Sequence, residues 1–145
     1  LLTVGGAKSL EKPKQILSKF KKGAQEAGKS SENMPKAVEI SVEYGVDIEA
    51  SIENRKKFWA GAKVYALYLN KIYTPEMSAQ NGKIMNIDNL RKNGCFSEKP
   101  EEQIRFVRKF IDIGFTHIYV HSAASDQLAF IKAYGKDVLP ALKET

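Results

Sequence analysis

The sequence is poor in the residues that would make it anything other than an ordinary globular chain. Its one cysteine, Cys95, excludes an intramolecular disulfide, and nothing calls for an oxidising compartment. Only 5 Pro and 10 Gly occur, which excludes collagen-like and low-complexity architectures. Runs without charge, such as Val64–Asn70, fall far short of the roughly 20 apolar residues that a bilayer span needs. No basic flank precedes an apolar core, so no signal peptide is expected. Zinc-finger spacing and an aromatic-plus-basic stripe are both missing. A cytoplasmic protein without metal, membrane or nucleic-acid partner is therefore expected.

What is present fits one domain over 1–145. Hydrophobic residues make up 43% and charged residues 28%. The net charge is +6, but the cations sit among glutamates, as in Glu53, Arg55, Lys56 and Lys57. That mixing describes solvated helix faces better than an anion-binding surface. The chain opens at Leu1, in what reads as mid-strand, so a piece of a longer protein is expected.

Strand and helix signals alternate. Leu1–Val4 ends at Gly5-Gly6 and reads as a strand passing into a loop. Pro13 opens a helix with Ile16, Leu17, Phe20, Ala24 and Ala27 in phase, and Gly28 stops it. From Ala37 to Tyr44 the pattern alternates: Val38, Ile40, Val42 and Tyr44 share one face, Glu39, Ser41 and Glu43 the other. A helix follows over Asp47–Trp59, with Ile48, Ile52, Arg55 and Trp59 on one side. Residues 61–93 read as an insertion of short helices and loop, with a helix start at Thr74-Pro75-Glu76. Gly94–Ser97 is a brief strand. Pro100 opens a helix striped by Ile104, Val107 and Ile111 and ended by Gly114. Thr116–His121 is a strand with His117, Tyr119 and His121 on one face. Ser125 or Asp126 caps a last helix, with Leu128, Ile131, Tyr134 and Val138 inward.

This order predicts parallel strands joined by crossovers, in an α/β fold. A doubly covered open sheet would bury the Glu-Ser-Glu and His-Tyr-His faces, at several kcal/mol for an unpaired charge. A closed barrel resolves this by turning the apolar faces to outer helices and the polar faces inward. Four strand–helix units would make half of a TIM (β/α)8 barrel.

Certain segments, in order and spacing, resemble a known family: 1–6, Met34–Val42, Arg55–Gly61, Ile72–Met77, and above all Gly114–Ile131 with Tyr134 and Val138-Leu139-Pro140. The chain resembles the C-terminal half of luciferase-like proteins, in the branch of deazaflavin-dependent oxidoreductases related to F420-dependent glucose-6-phosphate dehydrogenase. The resemblance implies a luciferase-like barrel with an insertion before its seventh strand. It implies coenzyme F420 (FMN in a sister branch of monooxygenases) and hydride transfer between the deazaflavin and a small organic substrate. It places the catalytic residues in the N-terminal half, outside this sequence. In the family's glucose-6-phosphate enzymes a Thr, two Lys and an Arg hold the phosphate. The matching positions here are Val4, Ala7, about Leu69 (with Lys71 nearby) and Asn93 (beside Arg91 and Lys92), so a different substrate is implied.

The pocket candidates are His121, Thr3, Gly5, Gly6, Lys71 and Arg91. His121 ends the last strand, where barrel enzymes place their chemistry. His117 lies four residues away along a strand, roughly 13 Å, too far to share a metal. Gly5 and Gly6 could let backbone N–H groups approach an anion. Glu39 is expected to be ion-paired inside the barrel, Trp59 to pack, and Cys95 to be core rather than nucleophile. The remaining alternative is a non-enzymatic half-barrel that pairs with a missing N-terminal half or with itself as a homodimer, because open parallel edges invite partners.

Overall fold

The computed structural model describes residues 2–5, 9–59 and 74–143. Along the chain run β1 (Leu2–Gly5), α1 (Glu11–Glu26), β2 (Lys36–Glu43), α2 (Ile48–Trp59), α3 (Pro75–Lys83), α4 (Ile87–Arg91), β3 (Gly94–Phe96), α5 (Pro100–Asp112), β4 (His117–His121), α6 (Gln127–Asp137) and α7 (Leu139–Lys143). The predicted helix of the insertion forms as α3, with Thr74 Oγ1 accepting from the Met77 N–H at 3.3 Å. The Tyr65, Tyr68 and Tyr73 part of the insertion lies outside the described residues.

β2 is the hub, and all of its pairings are parallel. Backbone groups point to alternate edges along a strand, so hydrogen bonds assign the edges. The Pro35 carbonyl accepts from the Leu2 N–H at 3.0 Å, and the Glu43 carbonyl from the Ser97 N–H at 3.3 Å. The Lys36 carbonyl, on the other edge, accepts from the Thr116 N–H at 2.8 Å. β4 therefore flanks β2 on one edge, while β1 and then β3 share the other. This differs from four units in a row: the sheet is three strands wide, and β3 prolongs the β1 edge instead of standing between β2 and β4. Close approach requires Gly94, where a Cβ would stand 2.5 Å from the Ser41 carbonyl oxygen.

The apolar face of β2 carries the core. Val38, Ile40, Val42 and Tyr44 pack with Phe106, Val107, Phe110, Phe115, Phe130, Tyr134 and Val138. Each such side chain contributes roughly 1.5–3 kcal/mol on full burial. Two helices are rotated from their predicted faces. On α5 the buried residues are Gln103, Phe106, Val107 and Phe110, and Ile111 faces out. On α6, Leu128 and Ile131 are 69% and 60% exposed, while Phe130, Tyr134 and Val138 point in. One helix face cannot bury both sets, and the aromatic rings cover more area than the aliphatic pairs. Phe130 and Tyr134 also pack together at 5.3 Å, and Tyr134 meets Tyr44 edge-on at 6.1 Å.

Candidate functional site

The residues that alternate with the core positions form the opposite, polar face. Ile118 and Val120 pack against the core, so His117, Tyr119 and His121 turn away from it. His117, Tyr119 and Glu39 are exposed. The register aligns Gly5, Glu39 and Tyr119 in one row across β1, β2 and β4, with Ser41 and His121 paired two residues further on. The predicted polar face therefore exists, running along the parallel strands and ending at Ser41 and His121 toward their C-terminal ends.

At its far end this face closes over a buried network. Glu43 is completely buried and pairs with Arg55 of α2, whose Nη2 is 2.6 Å and Nε 3.2 Å from Glu43 Oε1. Ser122 Oγ donates to Glu43 Oε2 at 2.6 Å, and the Ala123 N–H donates to Oε1 at 2.9 Å. Arg55 also donates to Ser41 Oγ (3.0 Å) and to the His121 carbonyl (3.3 Å). A buried pair needs its remaining polar atoms satisfied, and here they are. Gln103 Nε2 donates to the Glu43 and Ser97 carbonyls, both at 2.9 Å, joining β3's end to β2.

His121 sits on the rim of this network. Its ring meets Trp59 edge-on, with centroids 4.6 Å apart, so Trp59 packs as predicted and does so on the candidate site. Nδ1 is 3.5 Å from Glu39 Oε1. The pairing expected of Glu39 called on strands outside this sequence; within the chain its side chain is 59% exposed and meets only His121 among the described residues, and the fully buried ion pair is that of Glu43. Glu39 sits before α2 arrives over the sheet, and Glu43 lies beneath it.

The other candidates scatter. Thr3 stands in register with Ala37, and Gly5 with Glu39. Gly6 and Lys71 lie outside the described residues. Arg91 is not brought to His121; on α4 it forms an ion pair with Glu49 of α2. Cys95 is half-buried, and burial, reinforced by the Glu102 carboxylate, pushes its thiol up to about 11, so it stays a protonated thiol. Among the described residues no cluster of three metal-ligating side chains occurs, and no helix is long and apolar enough to cross a membrane.

Arg55 and Ser122 hold the buried network beside the candidate site, and sequence reasoning missed them. A signal existed for the first: an arginine on the Ile48–Ile52–Trp59 stripe of a helix that follows a Glu-Ser-Glu strand face.

No protein-family model matches the chain. It is 28% identical over 130 residues to the F420-dependent glucose-6-phosphate dehydrogenase of Kribbella flavida, spanning 90% of this chain and 39% of that protein. It is 26% identical over 144 residues to the enzyme of the same name from Mycolicibacterium gilvum, spanning 99% of this chain and 42% of that protein. Among solved structures, an F420-dependent secondary alcohol dehydrogenase in complex with an F420-acetone adduct superposes with a TM-score of 0.79. That match has 29% identity and covers 98% of this chain and 42% of the other. The coenzyme F420 dependent tetrahydromethanopterin reductase from Methanopyrus kandleri shares the fold at 17% identity and a TM-score of 0.65. The chain thus spans well under half the length of the relatives it matches. In sequence and in fold it is similar to the C-terminal part of the F420-dependent, luciferase-like barrel enzymes.

Proposed function

We propose that the chain is the C-terminal part of an F420-dependent oxidoreductase that moves a hydride between a small organic substrate and the deazaflavin. The observation that carries this reading is the uncovered polar face, turned away from the core helices, which runs from Glu39 and Tyr119 at mid-strand to Ser41 and His121 toward the C-terminal ends of the parallel strands β2 and β4. Barrel enzymes build their sites at that end. The outer edges of β1 and β4 have no strand partner among the described residues, and further polypeptide completing a barrel would cover them and the face together.

The residues present fit a flat heteroaromatic cofactor beside a small substrate. Gly5 stands in register with Glu39 and Tyr119, and His121 and Tyr119 offer N–H and O–H groups. Coenzyme F420, when bound, would supply C5 of its deazaflavin as the acceptor of a hydride from an alcohol, or as its donor to a ketone in the reverse direction. This chain's side chains bind and orient; the proton-transfer groups come from polypeptide outside it.

The substrate is an uncharged alcohol or ketone rather than a sugar phosphate. A phosphate dianion needs several cationic donors. Here Glu39 puts a carboxylate on the face, Asn93 stands where the family resemblance implies an arginine of the phosphate site, and Arg91 is paired with Glu49. The dehydrogenase that superposes best of the two solved structures above acts on secondary alcohols.

The test is to express the complete reading frame and titrate it with F420 and with FMN. F420 binding, and its reduction by secondary alcohols but not by glucose 6-phosphate, is the expected result. Binding of FMN without F420 overturns the cofactor in favour of a monooxygenase. A reading frame that encodes no more of a barrel than this replaces the enzyme reading with a half-barrel that pairs with another chain.

A further inference from the structure

The Glu43–Arg55 pair is more elaborate than packing requires, because a hydrophobic pair of similar volume commonly stabilises a core as well or better. What the pair holds is specific. Glu43 receives Ser122 Oγ and the Ala123 N–H, the two residues that follow His121. Arg55 donates to the carbonyl of His121 itself. Its guanidinium carbon lies 5.9 Å from the Trp59 ring centroid and 5.5 Å from that of Phe96, and the Trp59 ring in turn meets the His121 imidazole at 4.6 Å. His121 is thereby fixed at three points: the main chain by Arg55, the ring by Trp59, and Nδ1 beside Glu39 at 3.5 Å. Among the described residues Nε2 has no hydrogen-bond partner.

We propose that Arg55 is a positioning residue, which sets the place and orientation of the His121 imidazole through the β4 main chain and through Trp59. Arginine is required for the task. A planar fork reaches Glu43, Ser41 and the His121 carbonyl at once, and a lysine ammonium cannot reproduce those directions. The proposal deepens the reading of His121 as a pocket residue and rests on it.

The experiment uses the protein from the complete reading frame, labelled at histidine, with the His121 ring resonance assigned through His121→Gln. In the unaltered protein that resonance carries a ring-current displacement from Trp59. Arg55→Lys removes most of the displacement, and Ser41→Ala, which frees one arm of the fork, removes a smaller part. In parallel, kcat/KM with F420 and a secondary alcohol falls about tenfold to a hundredfold in Arg55→Lys, the scale of a small misplacement of a binding group. An unchanged His121 resonance in Arg55→Lys, with only a lower Tm, overturns the proposal and leaves Arg55 a stabilising residue. If Arg55→Lys does not fold, Ser41→Ala decides by the same resonance. The spectroscopic result is independent of cofactor, so failure to bind F420 defeats the functional reading while the positioning result is read separately.

Discussion

The two faces of β2 obey different rules. On the apolar face Val38, Ile40 and Val42 are all at or near zero exposure. On the polar face burial rises steeply along the strand, from Glu39 with its side chain 59% exposed, through half-buried Ser41, to fully buried Glu43. Helices cover the apolar face along its length, whereas α2 reaches the polar face only at its C-terminal end. Alternation in a strand therefore tells which side a residue takes, and the arrival of another element tells how deep it lies. The same two-residue period yields an open carboxylate at 39 and a sealed, fully bonded one at 43.

This contrast can be broken experimentally, with the largest effect on the sealed end. Arg55→Met leaves Glu43 buried without its cation and is expected to cost roughly 3–5 kcal/mol in denaturant unfolding. Replacing Glu43 and Arg55 together with apolar residues should recover most of that loss; no recovery would mean that the cost lies in packing. Next is Gly45→Ala, at the turn from β2 into α2. Gly45 has φ +64° and an added Cβ would stand 2.4 Å from Ala133 Cβ, so a loss of roughly 1–3 kcal/mol is expected from thermal unfolding. On the apolar face Ile40→Val should cost roughly 0.5–1.5 kcal/mol with an unchanged m-value, as for a small cavity in a packed layer.

Cys95, paired with Val42 in the sheet, gives a pH test. Its thiol is pushed up from an ordinary 9.0 to about 11, so the folded state holds its proton longer than the unfolded chain does. The resulting stabilisation is fully present below 9.0 and is lost as pH rises through 11. Unfolding free energy should decline over that window in the native protein and decline less in Cys95→Ala. Alkylation by iodoacetamide at pH 8 should be slow in the folded state and fast in urea. The smallest effect belongs to the open end: Glu39→Gln should change stability by no more than about 0.5 kcal/mol. A loss like that of Arg55→Met would show that Glu39 is not exposed in solution.

Much of the fold was legible in local pattern. The alternation over Ala37–Tyr44 located the core strand and both of its faces, because a strand with one dry side has a period of two. Pro100, Gly114 and Asp126 marked helix ends, and Asp126 Oδ1 indeed accepts from the Ala129 N–H at 2.9 Å. Helix rotation was less legible: Ile111, Leu128 and Ile131 are apolar and correctly spaced, yet Phe110 and Phe130 took the inward face. Strand order was not legible, since β3 is only three residues long and its edge depends on one hydrogen-bonding direction. For the candidate site, His121 and Trp59 could be named separately, but their 4.6 Å contact joins residues 62 positions apart in sequence.

By itself the sequence determined the parallel α/β character, the apolar and polar sides of the two longest strands, and a likeness to one family of cofactor-dependent enzymes. These follow from periodicity, turn chemistry and residue identity, all of which act over a few neighbouring positions. Tertiary structure alone decided that β4 lies beside β2, that Glu43 rather than Glu39 is the buried acid, and that Arg55 reaches the end of β4. Those outcomes depend on where a helix from elsewhere in the chain excludes water, a condition that no local pattern contains.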